Sequence, residues 1–144
     1  MASGVKVADE TVEIYKTIKL RKSNIRFLLL AIDQLDGLIK VEFKKEKDSN
    51  RSQEEEFNEF LQHLPSDDGR YCILDLTIPQ KNGAQKETLF ILTWCPPNAS
   101  TKSNMLYATS KRALLDKIRE GMIDMQANDL SDLVYQEFLE KGCK

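Results

Sequence analysis

The sequence has few of the residues that most often carry catalysis and metal binding. It contains one histidine, His63, and three cysteines, Cys72, Cys95 and Cys143, which are far apart in the chain. These residues lack the ligand spacing of a zinc site, and the acidic clusters lack that of a calcium loop. Glycine-rich phosphate loops and the G-x-S-x-G nucleophile motif are also missing. We therefore expect no metal, no cofactor and no enzymatic activity.

Long apolar runs and an excess of either charge are absent as well. No stretch approaches the roughly 18 apolar residues of a membrane span, and the first residues lack the apolar core of a secretory signal. Lysine and arginine number 21 against 23 acidic residues, and the aromatic residues fall mostly inside predicted strands, which argues against nucleic-acid binding. We expect a cytoplasmic protein with reduced thiols.

What the sequence does contain is enough apolar material for one self-sufficient core. The chain has 144 residues, of which 41% are hydrophobic and 31% charged. A chain of this size buries roughly two-thirds of its unfolded surface and has no room for a second domain. We expect one domain over residues 1–144.

The first half of the chain predicts a helix followed by a hairpin. Apolar residues recur at helical spacing over residues 7–20. Residues 27–32 form a continuous apolar run, which is typical of a strand buried on both faces. After the turn signal at residues 36–37, apolar and charged residues alternate to complete a hairpin over residues 26–45.

The middle of the chain predicts a short helix and a second hairpin. Phe57 begins a helical pattern that ends before Pro65, and we expect the acidic residues 54–56 at its start to face solvent. Residues 71–78 and 88–94 are two further strands, nearly continuous in apolar character.

The last third predicts a long helix from Asn104 to about Met122. Its expected apolar stripe consists of Ala108, Leu114, Leu115, Ile118 and Met122. A short strand over residues 123–126 and a last helix, capped by Asp129 or Ser131, would follow. The element order predicts an α+β domain in which a mixed sheet of about five strands is sandwiched by helices. Without catalytic motifs, such a domain suits protein–protein recognition.

Particular segments resemble the actin-depolymerising factor and cofilin family. They are residues 1–5, 68–71, 94–99, 102–111 and 126–129, of which Trp94-Cys95-Pro96-Pro97-Asn98-Ala99 and the following Lys102-to-Lys111 segment are the most specific. The likeness extends over essentially the whole chain. It implies the ADF-homology fold, a flexible tail over residues 1–6, and a monomeric actin-binding protein of the cytoplasmic actin cytoskeleton.

The resemblance also implies two actin-binding surfaces. The first, which we call the monomer surface, would bind an actin monomer through Ser3, Gly4, Lys102, Asn104, Met105, Lys111 and Arg112. The second, which we call the filament surface, would touch a neighbouring filament subunit through Lys86, Thr88, Glu140, Lys141 and Lys144. From residue type alone, Met105 is equally suited to the core, and the charged residues to solvated faces.

The activity implied is binding of monomers and filaments, with ADP-actin preferred, and promotion of severing and depolymerisation. Phosphorylation of Ser3 would switch binding off, because the phosphate would repel an acidic partner. Phosphoinositide head groups could compete for Lys102, Lys111 and Arg112.

Two departures from the family pattern leave alternatives open. Asn104 and Thr88 each stand where the family commonly has a cation. A filament-side binder or monomer-sequestering protein with weak severing is therefore an alternative. A more remote alternative is a small thiol enzyme that uses Cys95 or Cys143, which would need a depressed thiol pKa.

Overall fold

The computed structural model describes residues 4–118 and 121–143, and within them the chain forms six strands and four α-helices. The strands are β1 (Lys6–Val7), β2 (Ile25–Asp33), β3 (Leu38–Glu46), β4 (Arg70–Pro79), β5 (Gln85–Trp94) and β6 (Met122–Ala127). The helices are α1 (Asp9–Lys19), α2 (Gln53–Gln62), α3 (Thr101–Ile118) and α4 (Tyr135–Gly142), and a 3-10 turn covers Leu130–Asp132.

The strands form one mixed sheet in the order β1-β3-β2-β4-β5-β6. The two predicted hairpins are confirmed, since β2 pairs antiparallel with β3, and β4 with β5. The outer strands β1 and β6 pair in parallel with β3 and β5. The fold class predicted from the sequence is thus confirmed, with one more strand than expected.

The additional strand corrects the predicted N-terminal tail. Val5 is buried, and the Lys6 amide donates to the Gly37 carbonyl at 2.9 Å. Lys6 and Val7 pair with Leu38 and Ile39. A flexible tail over residues 1–6 is therefore wrong at Val5 and Lys6, because the edge of β3 provides backbone partners that the sequence alone does not reveal.

The sheet carries a hydrophobic core on each face. Phe27 and Leu29 of β2 face α2 and α4, whose contributions are Phe57, Phe60 and Phe138. Leu28 and Leu30 face α1 and α3, whose contributions include Tyr15, Ile18, Tyr107, Leu114 and Ile118. Because alternate residues of a strand point to opposite faces, a strand covered on both sides is apolar at every position.

Three details of the helices differ from prediction. The buried face of α3 is Ser103, Tyr107, Ser110, Leu114 and Ile118, whereas Ala108 of the predicted stripe is exposed. Met122 belongs to β6. Asp129 caps the 3-10 turn by accepting from the Ser131 amide, and α4 begins only at Tyr135.

The acidic start of α2 is only partly solvated. Ser52 and Glu55 form a capping box, which satisfies backbone donors at the helix start. Glu56, in contrast, is fully buried. Its carboxylate accepts from Arg26 Nε at 3.2 Å and from the Asp48 amide at 3.1 Å. The expectation of a solvated face is wrong at Glu56, because Arg26 reaches it from the adjacent strand.

Candidate protein-docking surface

The N-terminus of α3 is tied to the loop before it and to the start of β4. Ser100 accepts from the Ser103 amide at 3.0 Å, which satisfies one free donor of the helix start. The Ser103 hydroxyl donates to Asp68 Oδ1 at 2.7 Å. Asp68 also accepts from Arg70 at 2.7 Å. Burial raises the pKa of Asp68, but these hydrogen bonds outweigh burial and hold it below its ordinary value.

Tyr107 fixes the middle of the same helix against the sheet. Its hydroxyl accepts from the Ile32 amide at 2.9 Å, while the Tyr71 hydroxyl donates to the Tyr107 carbonyl. The two tyrosine rings lie 5.0 Å apart, and burial raises the pKa of both hydroxyls. Only glycine fits at residue 69, since a Cβ there would lie 2.5 Å from the Tyr107 ring. The inner face of α3 is therefore rigidly positioned.

The outer face of α3 exposes an apolar knob between cations. Met105 is 61% exposed, so the interpretation of this residue as a core side chain is wrong. Lys102 and Arg112 are also exposed. An exposed methionine with flanking cations is a suitable contact for an apolar and acidic partner surface.

Two other residues of the predicted monomer surface are already engaged within the chain. Lys111 Nζ lies 2.7 Å from Asp124 Oδ2, and the lysine side chain is only 16% exposed. Asn104 Nδ2 donates to the Pro96 carbonyl at 2.9 Å, so its amide turns toward the preceding loop. Neither side chain is presented to solvent in the way the sequence pattern suggests.

Of the two N-terminal residues of the predicted monomer surface, the structure describes Gly4, which lies near α3. Gly4 is exposed and precedes β1, and β1 packs next to α3. Ser3 lies outside the described residues. The pairing of β1 therefore holds Gly4 close to α3.

The predicted filament surface lies near the N-terminal end of β5, at Lys86. Lys86 is exposed and is the register partner of Ile78. Gly142, at the end of α4, packs so closely on Ile78 that a Cβ would lie 2.8 Å from its Cγ1. The exposed residues Glu140 and Lys141 are consequently near the same strand end, while Lys144 lies outside the described residues.

Thr88 departs from its predicted place on the filament surface. It is buried, and its hydroxyl donates to the Lys86 carbonyl at 3.4 Å. The ten residues of β5 span roughly 30 Å, so Lys86 and the Met105 end of α3 are far apart. The two predicted surfaces are therefore distinct.

Sequence reasoning missed several residues that build or extend the docking surface. Asp68 before β4 and Asp124 of β6 bind Ser103 and Lys111 of α3, and Tyr107 anchors the same helix to the Ile32 amide. Leu130 is 49% exposed beside the loop at Pro97. Asp68 and Tyr107 do lie inside the segments that carry the family resemblance. No sequence signal marks Asp124, because its role arises from its contact with Lys111.

The described residues offer little for thiol or metal chemistry. Cys72 is fully buried, and burial raises the pKa of both Cys72 and Cys95. A raised thiol pKa is the opposite of what a reactive cysteine needs. Among the residues the structure describes, there is no group of three or more metal-ligating side chains and no helix long and apolar enough to cross a membrane.

The chain is similar over nearly its whole length to known proteins. Residues 4–143 match the family described as cofilin/tropomyosin-type actin-binding protein. Cofilin of Schizosaccharomyces pombe is 35% identical over 96% of this chain and 95% of its own. Actin-depolymerizing factor 2 of Zea mays is 33% identical over 92% and 90%. The structure of Plasmodium berghei actin depolymerization factor 2 superposes with a TM-score of 0.83 at 26% identity, covering 98% and 96%.

The fold and the sequence point to the same family. The structure is similar to that of a known actin depolymerization factor, and the family match runs from Gly4 to Cys143. The chain belongs to the cofilin and actin-depolymerising factor family of actin-binding proteins.

Proposed function

We propose that this protein binds actin monomers and filaments, prefers ADP-actin, and promotes filament severing and depolymerisation. The observation that carries the proposal is the outer face of α3, where Met105 is 61% exposed between Lys102 and Arg112. The inner face of the same helix is fixed by Tyr107 and Ser103. A partner therefore meets a preorganised surface, and little conformational entropy is lost on docking.

On this proposal, the monomer surface consists of Ser3, Gly4, Lys102, Asn104, Met105, Lys111 and Arg112. Its members contribute unequally. Lys102 and Arg112 are available to an acidic partner, whereas Asp124 already balances the charge of Lys111. Asn104 shapes the loop at Pro96 rather than supplying a charge. Most of the electrostatic attraction then comes from Lys102 and Arg112.

The filament surface consists of Lys86, Thr88, Glu140, Lys141 and Lys144, with Thr88 acting from beneath as a buried support. Because it lies at the opposite end of β5 from Met105, one molecule can touch two actin subunits at once. A ligand that prefers one arrangement of neighbouring subunits shifts a filament toward that arrangement. Boundaries between decorated and bare segments would then be the sites of severing.

Regulation would act on the monomer surface. A phosphate on Ser3 would add about 1.5 to 2 negative charges to a protein whose exposed cations would face an acidic partner. Phosphoinositide head groups would compete for the same cations. We propose that the protein works as a monomer in the cytoplasm, at the actin cytoskeleton, without catalysing a reaction.

A second candidate is a filament-side binder or monomer-sequestering protein with weak severing. The engaged amide of Asn104 and the buried hydroxyl of Thr88 favour it. Both positions commonly carry a cation in the resembling family, so each surface here has one exposed charge fewer. Exposed charge pairs are typically worth about 0.2–1 kcal/mol each, which weakens binding without abolishing it.

Sedimentation of ADP-actin filaments over a range of protein concentrations tests these proposals. We expect the protein to pellet with filaments and to move actin into the supernatant. Lys102→Glu should weaken monomer binding, and Lys86→Glu should weaken filament binding. Lys44→Glu, at an exposed position on β3 that neither surface includes, is the matched control. Co-pelleting without release of actin would support the second candidate, and no binding to either form would contradict both.

A further inference from the structure

A groove of about 530 Å³ runs between α3 and β6, beside the proposed monomer surface. Its walls are largely apolar and include Pro97, Met105 and Ala108. Thr93 of β5 and Asn104 of α3 also line it. The groove is open to solvent along an exposed part of α3, so a side chain of a docking partner can enter it.

Two oxygen atoms in this groove have unused hydrogen-bonding capacity. Thr93 is only 3% exposed, and its hydroxyl has no hydrogen-bond partner within the described part of the chain. Asn104 uses its amide nitrogen on the Pro96 carbonyl, while its buried Oδ1 accepts from none of the described residues. A buried polar atom without a partner is destabilising, so a ligand that supplies donors would recover part of this cost.

The charges around the groove favour a cationic ligand. None of the residues that line it carries a charge, and the nearby Lys111 is neutralised by Asp124. An adjoining depression shares Gln126 and Asn128 with the groove and is also lined by Asp132 and Glu137. Two exposed cations of α3 would oppose such a ligand: Lys102 follows the lining residue Thr101, and Arg112 lies one helical turn after the lining residue Ala108.

We propose that this groove binds an arginine side chain of the protein partner. Arginine has several N–H donors and no acceptor, which matches two oxygens that can each accept a hydrogen bond and receive none from the described residues. Its methylene stem packs on apolar surface while its charged head makes hydrogen bonds. The stem would lie along Met105 and Ala108, and the guanidinium would reach Thr93 and Asn104. Identifying the partner as actin rests on the proposed function, whereas the chemistry of the groove does not.

The first test is Thr93→Val, which removes the hydroxyl and keeps the shape of the side chain. We expect this variant to bind actin monomers about tenfold more weakly, the equivalent of about 1.4 kcal/mol, without loss of thermal stability. Ser23→Ala is the matched control, because Ser23 carries another buried hydroxyl without a partner in the described chain and lies outside the groove. Unchanged affinity in Thr93→Val would overturn the assignment of a partner arginine.

The second test does not depend on actin. Agmatine, a guanidinium on a four-carbon stem, is titrated into isotope-labelled protein while amide chemical shifts are recorded. We expect saturable shifts at Thr93, Ala108 and Gln126 that are lost in Thr93→Val, and weaker shifts with n-pentanol, which lacks the guanidinium. Shifts that do not saturate, or that spread over acidic surfaces elsewhere, would overturn the groove as a guanidinium site.

The two tests separate the two proposals. A wild-type protein that binds no actin but binds agmatine in the groove would contradict the proposed function and support the groove. Binding of actin with no agmatine shifts in the groove would support the proposed function and overturn the groove.

Discussion

The two proposed actin-binding surfaces are supported in different ways. The monomer surface stands on a helix that is fixed from below by buried polar contacts, chiefly Tyr107 with Ile32 and Ser103 with Asp68. The filament surface is supported by strand register and apolar packing, in which Ile78 contacts Gly142. Polar contacts constrain direction as well as distance, so we expect the monomer surface to tolerate less change beneath it.

Removing the largest support of each surface should give the largest effects. Tyr107→Ala and Phe138→Ala each delete a fully buried aromatic ring, and each should lower the free energy of unfolding by about 3–5 kcal/mol. Tyr107 is on the buried face of α3, while Phe138 belongs to α4. Urea denaturation measures the stability change, and binding is compared at a temperature where both variants remain folded.

The two variants should then differ in which binding activity is impaired more. We expect Tyr107→Ala to impair monomer binding more, and Phe138→Ala to impair filament binding more. Equal losses of both activities in both variants would show that the surfaces are not independently supported.

Adding one carbon beneath each surface should give an intermediate effect. A Cβ at residue 69 would lie 2.5 Å from the Tyr107 ring, and one at residue 142 would lie 2.8 Å from Ile78 Cγ1. Overpacking of this kind costs about 1–3 kcal/mol. Gly69→Ala should be the more harmful, because Tyr107 is hydrogen-bonded at its hydroxyl and backbone and cannot move freely.

Thermal unfolding of both glycine variants measures this difference. A melting temperature for Gly142→Ala equal to or below that of Gly69→Ala would contradict the idea that polar anchoring makes the monomer surface less tolerant.

Acid should loosen the monomer surface before the filament surface. Hydrogen bonds from Arg70 and Ser103 hold the pKa of Asp68 below its ordinary value of 3.8. A carboxylate with a depressed pKa stabilises the fold above its unfolded-state pKa, and this contribution is lost as pH falls through the folded-state pKa. Stability should therefore drop below about pH 4, and the drop should be smaller in Asp68→Asn.

Urea midpoints at pH 7 and pH 3 measure this contribution. Asp129→Asn is a suitable comparison, because hydrogen bonds from Ser131 also lower the pKa of Asp129, but it caps the 3-10 turn instead of α3. If amide exchange of α3 at pH 3 were the same in wild type and Asp68→Asn, Asp68 would not be the acid-sensitive anchor.

The smallest effect should come from the ion pair between Lys111 and Asp124. Asp124→Asn removes the partner of Lys111 and leaves its charge available to an acidic ligand. We expect monomer affinity to rise severalfold at low salt, because the Asp124 carboxylate is half exposed and pairs screened by water are typically worth at most about 1 kcal/mol. Filament-side contacts should be unchanged. Titration of labelled monomeric actin at two salt concentrations measures the gain, which should shrink as salt rises.

Patterns within single segments predicted the framework on which both surfaces stand. Continuous apolar runs predicted β2, β4 and β5 as buried strands, and turn signals joined the strands into two hairpins. The family resemblance added the two sets of surface residues, and the structure finds Lys102, Met105, Arg112 and Lys86 exposed.

The same local patterns were less informative about side chains at the boundary between the buried and the exposed face of a helix or strand. Ala108 was assigned to the buried stripe of α3, but the neighbouring Tyr107 occupies that face. Helical spacing allows either residue inside, and the sheet selects the tyrosine because Ile32 and Gly69 accommodate its hydroxyl and ring. Thr88 was expected on the surface, but the register of β5 buries it.

The sequence by itself determined the order of the main elements, the buried strands and the family, because periodicity and motifs depend on residues close together in the chain. Only the tertiary structure decided that Glu56 meets Arg26 and that Lys111 meets Asp124. It also decided that Thr93 lies in a groove where none of the described residues bonds to its hydroxyl. The physical reason is that hydrogen bonds and ion pairs act over a few ångströms. They therefore depend on which distant segments folding brings together.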